Sequence, residues 1–399
     1  MVILNDFQAI KKFLTKREVL YRPRNWLFRG EQYGGVATLN GEVWEHNRRF
    51  CLHVLRNLGF GKTSMEEHIK ARRVPQHSGE AIRTGSLVEF VPPSLLKVVS
   101  KLPSTRQTAI TTKLLDFIDD TKKQIDEHKA TIDEHFNRDF IDGYLRTIEE
   151  NKNDPGSYFQ TRHLVGNLLS FFIAGSNTVA VTLQWHVLNF ADKPDTVQAR
   201  IRREIDEVVG RERQPAWEDR NKMPYTMACI WEMYRWKTVS PLGVPRSLQQ
   251  ASCRIHLKQS LYDFDHLPVF SAYLSDDSAG EDTFFGEHFI PKGTTVSPNV
   301  WAVHNDPTLW KEPSKFDPRR FLREDGSLIQ PKPEYLIPFS IGKRMCPGEI
   351  LASVEIFLYI TCLLQKCIIL PGEEKIQGLD SVDIPLAELN RYKVRVLPR

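Results

Sequence analysis

Charge of one sign is scarce in this 399-residue chain: 54 Lys and Arg stand against 50 Asp and Glu, a net of +4. No basic stripe is concentrated enough to read as a nucleic-acid surface. The six cysteines (Cys51, Cys229, Cys253, Cys346, Cys362 and Cys367) include no CxxC pair and no paired framework. That argues against a disulfide scaffold and a zinc site. Most lie in apolar surroundings, where a thiol acts as a small hydrophobe, and a reducing compartment fits them best. There is no internal repeat and no low-complexity tract, so solenoids and tails are excluded. No signal peptide is legible. The longest apolar runs, Leu164–Gly175 and Ile350–Leu364, fall short of a membrane span, and the second carries Glu355.

What is present is enough apolar sequence, 41% of residues, to bury a large core. Length alone allows two or three domains or one large one. Helical periodicity predicts helices over Asp6–Arg17, Val43–Leu58, Thr111–Phe136, Tyr225–Lys237 and Gly348–Gln365. A long helical region over Tyr158–Val209 is interrupted at Ala191–Pro194. In Thr111–Phe136 one apolar stripe of Ile118, Ile125 and Ile132 runs along a charged, solvated helix. A short strand and turn is expected at Val36–Gly41, and strands over Phe284–Val300 around a turn at Pro291-Lys292-Gly293. The expected class is mainly α with small peripheral sheets.

The most informative run is Phe339-Ser-Ile-Gly342-Lys-Arg344-Met-Cys346-Pro-Gly348. Gly342 permits a tight turn and a close backbone approach. Cys346 directly precedes a helix for which Pro347 is a favoured first residue, and the free amides there favour a thiolate. A thiolate on haem iron pushes electron density toward the metal and favours O–O cleavage. Phe339 is placed to shield the sulfur, and Arg344 suits a propionate. Five fixed positions at this spacing arise by chance in on the order of one such chain in ten thousand.

This run resembles the haem-binding loop of the cytochrome P-450 superfamily at each fixed position, and other landmarks follow in order. Glu232-Met-Tyr-Arg235 resembles the family's Glu-x-x-Arg. The same pattern also occurs at Glu45–Arg48, Glu80–Arg83 and Glu388–Arg391, so position decides: Glu232 lies in a helix followed by Pro241-Leu-Gly-Val-Pro245. Arg320, in Phe316-Asp-Pro-Arg-Arg320-Phe321, is assigned to close a structural triad with Glu232 and Arg235; Arg319 stands where the family usually has Glu. Trp44-Glu-His-Asn-Arg48 resembles the family's propionate-binding Trp-x-x-x-Arg, and Arg22 and Arg246 occupy further propionate positions. Ala174-Gly175-Ser-Asn177-Thr178 resembles the oxygen-activation segment. There Gly175 loosens the helix, Thr178 passes protons, and Asn177 replaces the usual acid, leaving more of the relay to water.

The resemblance implies the P-450 fold over one domain, residues 1–399, with haem as cofactor and Cys346 as its iron ligand. Arg138-Asp-Phe-Ile-Asp142, Pro241–Arg246 and Phe289–Val296 resemble the microsomal, drug- and steroid-metabolising branch. That branch implies insertion of one oxygen atom from O2 into a lipophilic substrate. Electrons would come from NADPH through the NADPH-cytochrome P-450 reductase, with cytochrome b5 as a further donor. Arg49, Arg56 and Lys62 are candidates for the docking patch. It also implies the cytoplasmic face of the endoplasmic reticulum membrane. Three departures are expected: no N-terminal anchor, helices missing near 70–91, and an insertion at 248–280. Specificity is expected in the loop after Arg22, in Val88–Ser100, near Phe171 and at Val239–Val244. A peroxide-rearranging isomerase or synthase, and a non-catalytic haem protein, are the other readings.

Overall fold

The computed structural model describes residues 1–16, 19–23, 33–59, 66, 106–133, 136–247, 283–285, 287–291, 294–373, 379 and 393–399. The expected gap near 70–91, the insertion at 248–280, Val88–Ser100, Lys62, and residues 24–32 of the loop after Arg22 lie outside them.

The chain opens with β1 (Val2–Leu4) and α1 (Phe7–Leu14), whose Asp6 cap accepts from the Ala9 amide at 2.8 Å. Phe7, Ile10, Phe13 and Leu14 form its buried face. Helices α2 (Gly41–Asn57), α3 (Arg106–Thr131) and α4 (Phe140–Glu150) follow, then the 32-residue α5 (Thr161–Asp192). Pro194, which cannot donate to the helical ladder, turns α5 through a π-helical segment (Pro194–Gln198) into α6 (Ala199–Val208). Helix α7 (Pro224–Trp236) comes next, then β2 (Arg246–Ser247), β3 (Thr283–Phe285), β4 (His288–Ile290), β5 (Thr295–Pro298) and α8 (Val300–His304). The last elements are α9 (Glu349–Lys366), β6 (Cys367–Pro371) and β7 (Val394–Pro398).

The class is as expected: mainly α, with three small sheets among the described residues. In the first, β5 lies between β1 (parallel) and β2 (antiparallel); β3 pairs with β4, and β6 with β7. One local expectation fails in part. Val36–Thr38 is a turn, but it carries no strand, and Gly41 already begins α2, because the segment serves as a helix entry. Strands form on both sides of Pro291 as expected, β4 pairing with β3 and β5 with β1 and β2, while Lys292 and Gly293 lie outside the described residues. The stripe on α3 holds for Ile118 and Ile125, which are buried, while Ile132 falls beyond the helix end and is exposed.

Helix α5 runs between two cores. Its N-terminal half packs with α2, α3 and α4 around Cys51, Tyr144 and Leu164; its C-terminal half packs with α6, α7 and α9 around Trp185, Ile201 and Phe357. By length and composition alone α5 is apolar enough to cross a membrane, but 44% of that stretch is buried inside the protein. Near its start the backbone of 33–35 crosses directly over it. A Cβ on Gly35 would lie 2.0 Å from the Gly166 oxygen, so both positions need glycine.

Helices α3 and α4 are tied by His128. Its ring nitrogens face two acceptors, the Gln124 carbonyl at 2.7 Å and the Asp139 carboxylate at 2.8 Å. Only the imidazolium donates to both. Burial opposes the charge, but these bonds outweigh it and hold the pKa above its ordinary value. A raised folded pKa gives stability that is present at low pH and lost as pH rises through that value. His128→Gln should flatten the decline in unfolding midpoint as pH rises above the ordinary histidine value of about 6.5, followed by denaturant titration.

Candidate active site

The cysteine loop is built on backbone that most residues avoid. Ser340 (φ 63°) and Gly342 (φ 77°) both take the left-handed conformation. A Cβ at Gly342 would lie 2.5 Å from the Leu14 oxygen, so the loop seats against the end of α1 only with glycine there. The Met345 amide donates to the Gly342 carbonyl at 3.0 Å and the Cys346 amide to Phe339 at 2.9 Å, closing the turn. The Gly348 amide donates to Cys346 Sγ at 3.4 Å. Pro347 is not the first helical residue: Gly348 caps α9, and Pro347 lies in the turn before it. Burial pushes the Cys346 thiol up and Glu349 adds to this, against the Gly348 amide and Arg48. The helix terminus therefore does not offset burial by itself; a metal cation held there would favour the thiolate. Phe339 is half-buried and meets the Tyr234 ring edge-on at 5.2 Å, which couples the loop to α7.

Four arginines converge beside the loop. Arg344 donates to the carbonyls of Leu20 (2.7 Å) and Leu39 (2.6 Å) and to the Asn40 side chain (3.1 Å), and its guanidinium stacks on Trp44 at 3.6 Å. Arg22 donates to the carbonyls of Ala37, Val244 and Pro245. Arg344 thereby locks the loop to its surroundings, and Arg22 ties the entry of α2 to the segment before β2, both through main-chain oxygens. Arg48 donates to the Met345 carbonyl at 2.7 Å, one residue from the cysteine, and Arg246 to the Arg344 carbonyl at 3.3 Å. Burial and then neighbouring arginines lower Arg246 to about 9 and Arg344 to about 8. Arg22 is also well below its usual range, from burial and then Arg246, Arg344 and Arg48. Trp44 Nε1 and Arg246 Nη1 are buried donors with no acceptor among the described residues. Buried donors of this kind call for a partner. A planar group carrying two carboxylates, as haem does, fits this cluster: it supplies acceptors to both atoms and relieves the repulsion among the cations.

On α5 the segment Ala174–Thr178 leaves an open face. A Cβ on Gly175 would meet nothing within 4 Å, and Ala174, Gly175 and Thr178 are all exposed. Thr178 Oγ1 donates to the Ala174 carbonyl at 2.7 Å, which leaves its lone pairs available. Asn177 is half-buried. A network that sequence reasoning did not find fixes α5 relative to α2. Asn47 Oδ1 accepts from Tyr144 (2.5 Å) and from Asn167 (3.1 Å), while Asn167 Oδ1 accepts from the Val36 amide (2.7 Å). The signal was available: Asn47 shares the buried side of α2 with Trp44 and Cys51.

Glu232, Arg235 and Arg320 meet. Glu232 and Arg235 pair bidentately at 2.8 and 2.7 Å, both fully buried, and Arg320 reaches Glu232 at 3.3 Å. Arg235 also donates to the carbonyls of His304, Pro313 and Lys315, while Arg319 is exposed. Burial pushes the Glu232 carboxyl up; its four donors (two from Arg235, one each from Arg320 and the Asp317 amide) hold the charge against it. His304 accepts from the Ile337 amide at 3.0 Å and pairs with Thr238 Oγ1 at 2.8 Å, and burial lowers it to about 3. It is neutral, and joins α8 to the strand-poor stretch before the cysteine loop.

The family model for cytochrome P450 matches residues 85–256 and 278–387. The chain belongs to the cytochrome P450 family. Cytochrome P450 2U1 of Homo sapiens is 30% identical over 430 residues, covering 94% of this chain and 72% of the relative. Cytochrome P450 2J2 of Homo sapiens is 32% identical over 384 residues (83% and 68%), and cytochrome P450 2A3 of Rattus norvegicus 30% over 428 (92% and 77%). These similarities support a family 2-like branch. As a P450, the chain is a haem-thiolate monooxygenase, an oxidoreductase that incorporates oxygen. The P450 match runs through the triad helix and the cysteine loop and skips 257–277.

Proposed function

We propose that this P450 inserts one atom of dioxygen into a lipophilic organic substrate, and that Cys346 would hold the haem iron. The observation that carries the reading is the loop itself. Cys346 is the cysteine held between a left-handed Gly342 and the start of α9, with an amide on its sulfur. Haem bound through that sulfur supplies oxygen activation, because thiolate donation favours O–O cleavage. Trp44 Nε1 and Arg246 Nη1 hold its carboxylates, in the positive field of Arg22, Arg48 and Arg344. Phe339 keeps water from the sulfur. Gly175 and Ala174 leave room over the ring, and Thr178 receives and passes protons. Asn177, an amide, hydrogen-bonds there but delivers no acid proton.

Residues 1–399 form one domain, with 248–280 as an inserted segment; the break in the family match over 257–277 supports this. Electrons come from NADPH through a flavoprotein reductase, with cytochrome b5 as a second donor. Arg49 and Arg56, exposed on α2, suit an acidic partner. The resemblance of Arg138–Asp142, Pro241–Arg246 and Phe289–Val296 to the microsomal branch is the ground for placing the enzyme at the cytoplasmic face of the endoplasmic reticulum, acting on lipophilic drugs or steroids.

The test is NADPH oxidation by purified protein and reductase across a panel of lipophilic compounds. The expected result is substrate-dependent NADPH consumption with a product that gains one oxygen atom from O2. Turnover of an organic hydroperoxide with no reductase-dependent product would favour an isomerase instead.

A further inference from the structure

The reaction proposed above consumes two protons and two electrons for each O2, and α5 is short of acids to supply the protons. Between Thr161 and Ala191 it carries no Asp or Glu, and its only titratable side chains are Arg162, His163 and His186. His163 sits near the start of the helix, against the Tyr158 carbonyl at 3.0 Å. His186 lies two turns beyond Thr178, fully buried, with neither ring nitrogen partnered. One turn further, Asn189 is also fully buried, and its Nδ2 is likewise unpartnered. At 3.6 residues per turn, Thr178, Thr182, His186 and Asn189 fall within about 80° of one another on the helix. Thr178 and Thr182 donate their hydroxyl protons to the carbonyls of Ala174 and Thr178, leaving lone pairs to accept. At the outer end Lys193, about a quarter exposed, reaches Asn189 Oδ1 at 3.4 Å.

We propose that His186 and Asn189 hold ordered water and form, with Thr182, a buried path along α5 that brings protons to Thr178. The proposal rests on the monooxygenase reading. Three buried polar atoms on adjacent turns make a polar site of the kind that retains water. Asn189 orients a water with its amide. His186 takes a proton from that water at one ring nitrogen and releases one from the other toward Thr182, and the water regains its proton from solvent at the Lys193 end. Thr178 gives its hydroxyl proton to the reaction and recovers one from the path. No side chain changes net charge over the cycle, and burial, which lowers His186 to about 3, keeps the ring neutral between transfers. His186 is a positioning and relay residue, not a group that touches substrate.

The test compares wild type with His186→Leu, His186→Gln and Asn189→Leu as haem-loaded proteins with reductase and NADPH. In His186→Leu, haem content and the thiolate spectrum should be unchanged. Product formed per NADPH should fall about tenfold, the balance appearing as hydrogen peroxide, a modest loss for a positioned proton carrier. Turnover driven by added peroxide, which brings its own protons, should be unaffected. His186→Gln, still able to hold water, should recover much of the yield, and Asn189→Leu should lose it. Asn177→Asp, which places a carboxylic acid beside Thr178, should restore coupling in the His186→Leu background. A crystal structure of the loaded wild type should show water within hydrogen-bond reach of His186 and Asn189. A dry site, or unchanged product per NADPH in His186→Leu, overturns the proposal. Absence of the thiolate spectrum in wild type overturns the underlying reading, and the proposal with it.

Discussion

Cys346→Ala should abolish the strongly red-shifted Soret band of the reduced, carbon monoxide-treated protein while leaving part of the haem bound. The two effects separate because the cradle has separate parts. Trp44 and Arg48 on α2 and Arg246 on β2 would hold the carboxylates, and none of them belongs to the cysteine loop. Cys346 would hold the iron from a different chain segment, before α9. Changes around a metal's ligands, in the groups that only orient them, already cost about 10–100-fold. Loss of the ligand itself should therefore lower oxygen insertion by more than about a hundredfold. Cys346→Ser should behave like the alanine variant, because a buried hydroxyl does not ionise as a thiol does. Retention of the shifted band in Cys346→Ala would mean that another group ligates the iron. Cys51 and Cys229 are poor substitutes, being fully buried with thiols pushed upward by desolvation.

Much of this site was legible because its residues sit in short, local patterns. Gly342 requires positive φ, the cysteine precedes a helix, and the Trp44–Arg48 and Glu232–Arg235 spacings put side chains on one helical face. Contacts made across long separations were less legible. Arg344 reads as a propionate ligand in sequence, yet its donors go to main-chain oxygens more than 300 residues earlier in the chain. The Asn47–Tyr144–Asn167 network joins three helices and has no sequence period. Gly35 and Gly166 are needed because two backbones touch, which neither position reveals alone. The same holds for β5, whose strand pattern is local while its partners, β1 and β2, lie far from it in sequence.

Glu232→Gln should be the most damaging single change away from the haem site. The carboxylate accepts from both sides of Arg235, from Arg320 and from the Asp317 amide, all out of water. Glutamine presents one oxygen and turns a donor toward arginine, leaving the Arg235 charge buried and uncompensated. Breaking a buried pair in this way costs about 3–5 kcal/mol. Against a total stability of roughly 5–15 kcal/mol, that removes much of the margin. The loss should also reach the iron. Tyr234, on the same helix, packs edge-on against Phe339, so disorder in α7 loosens the first residue of the cysteine loop. Denaturant midpoint and thiolate-bound haem fraction should fall together in Glu232→Gln. Arg320→Gln is the control. Its bond to Glu232 is longer, at 3.3 Å, and Arg235 still neutralises the carboxylate, so its cost should be nearer 1 kcal/mol. Equal effects of the two changes, or a Glu232→Gln protein as stable as wild type, would show that the triad does not carry the fold beneath the haem.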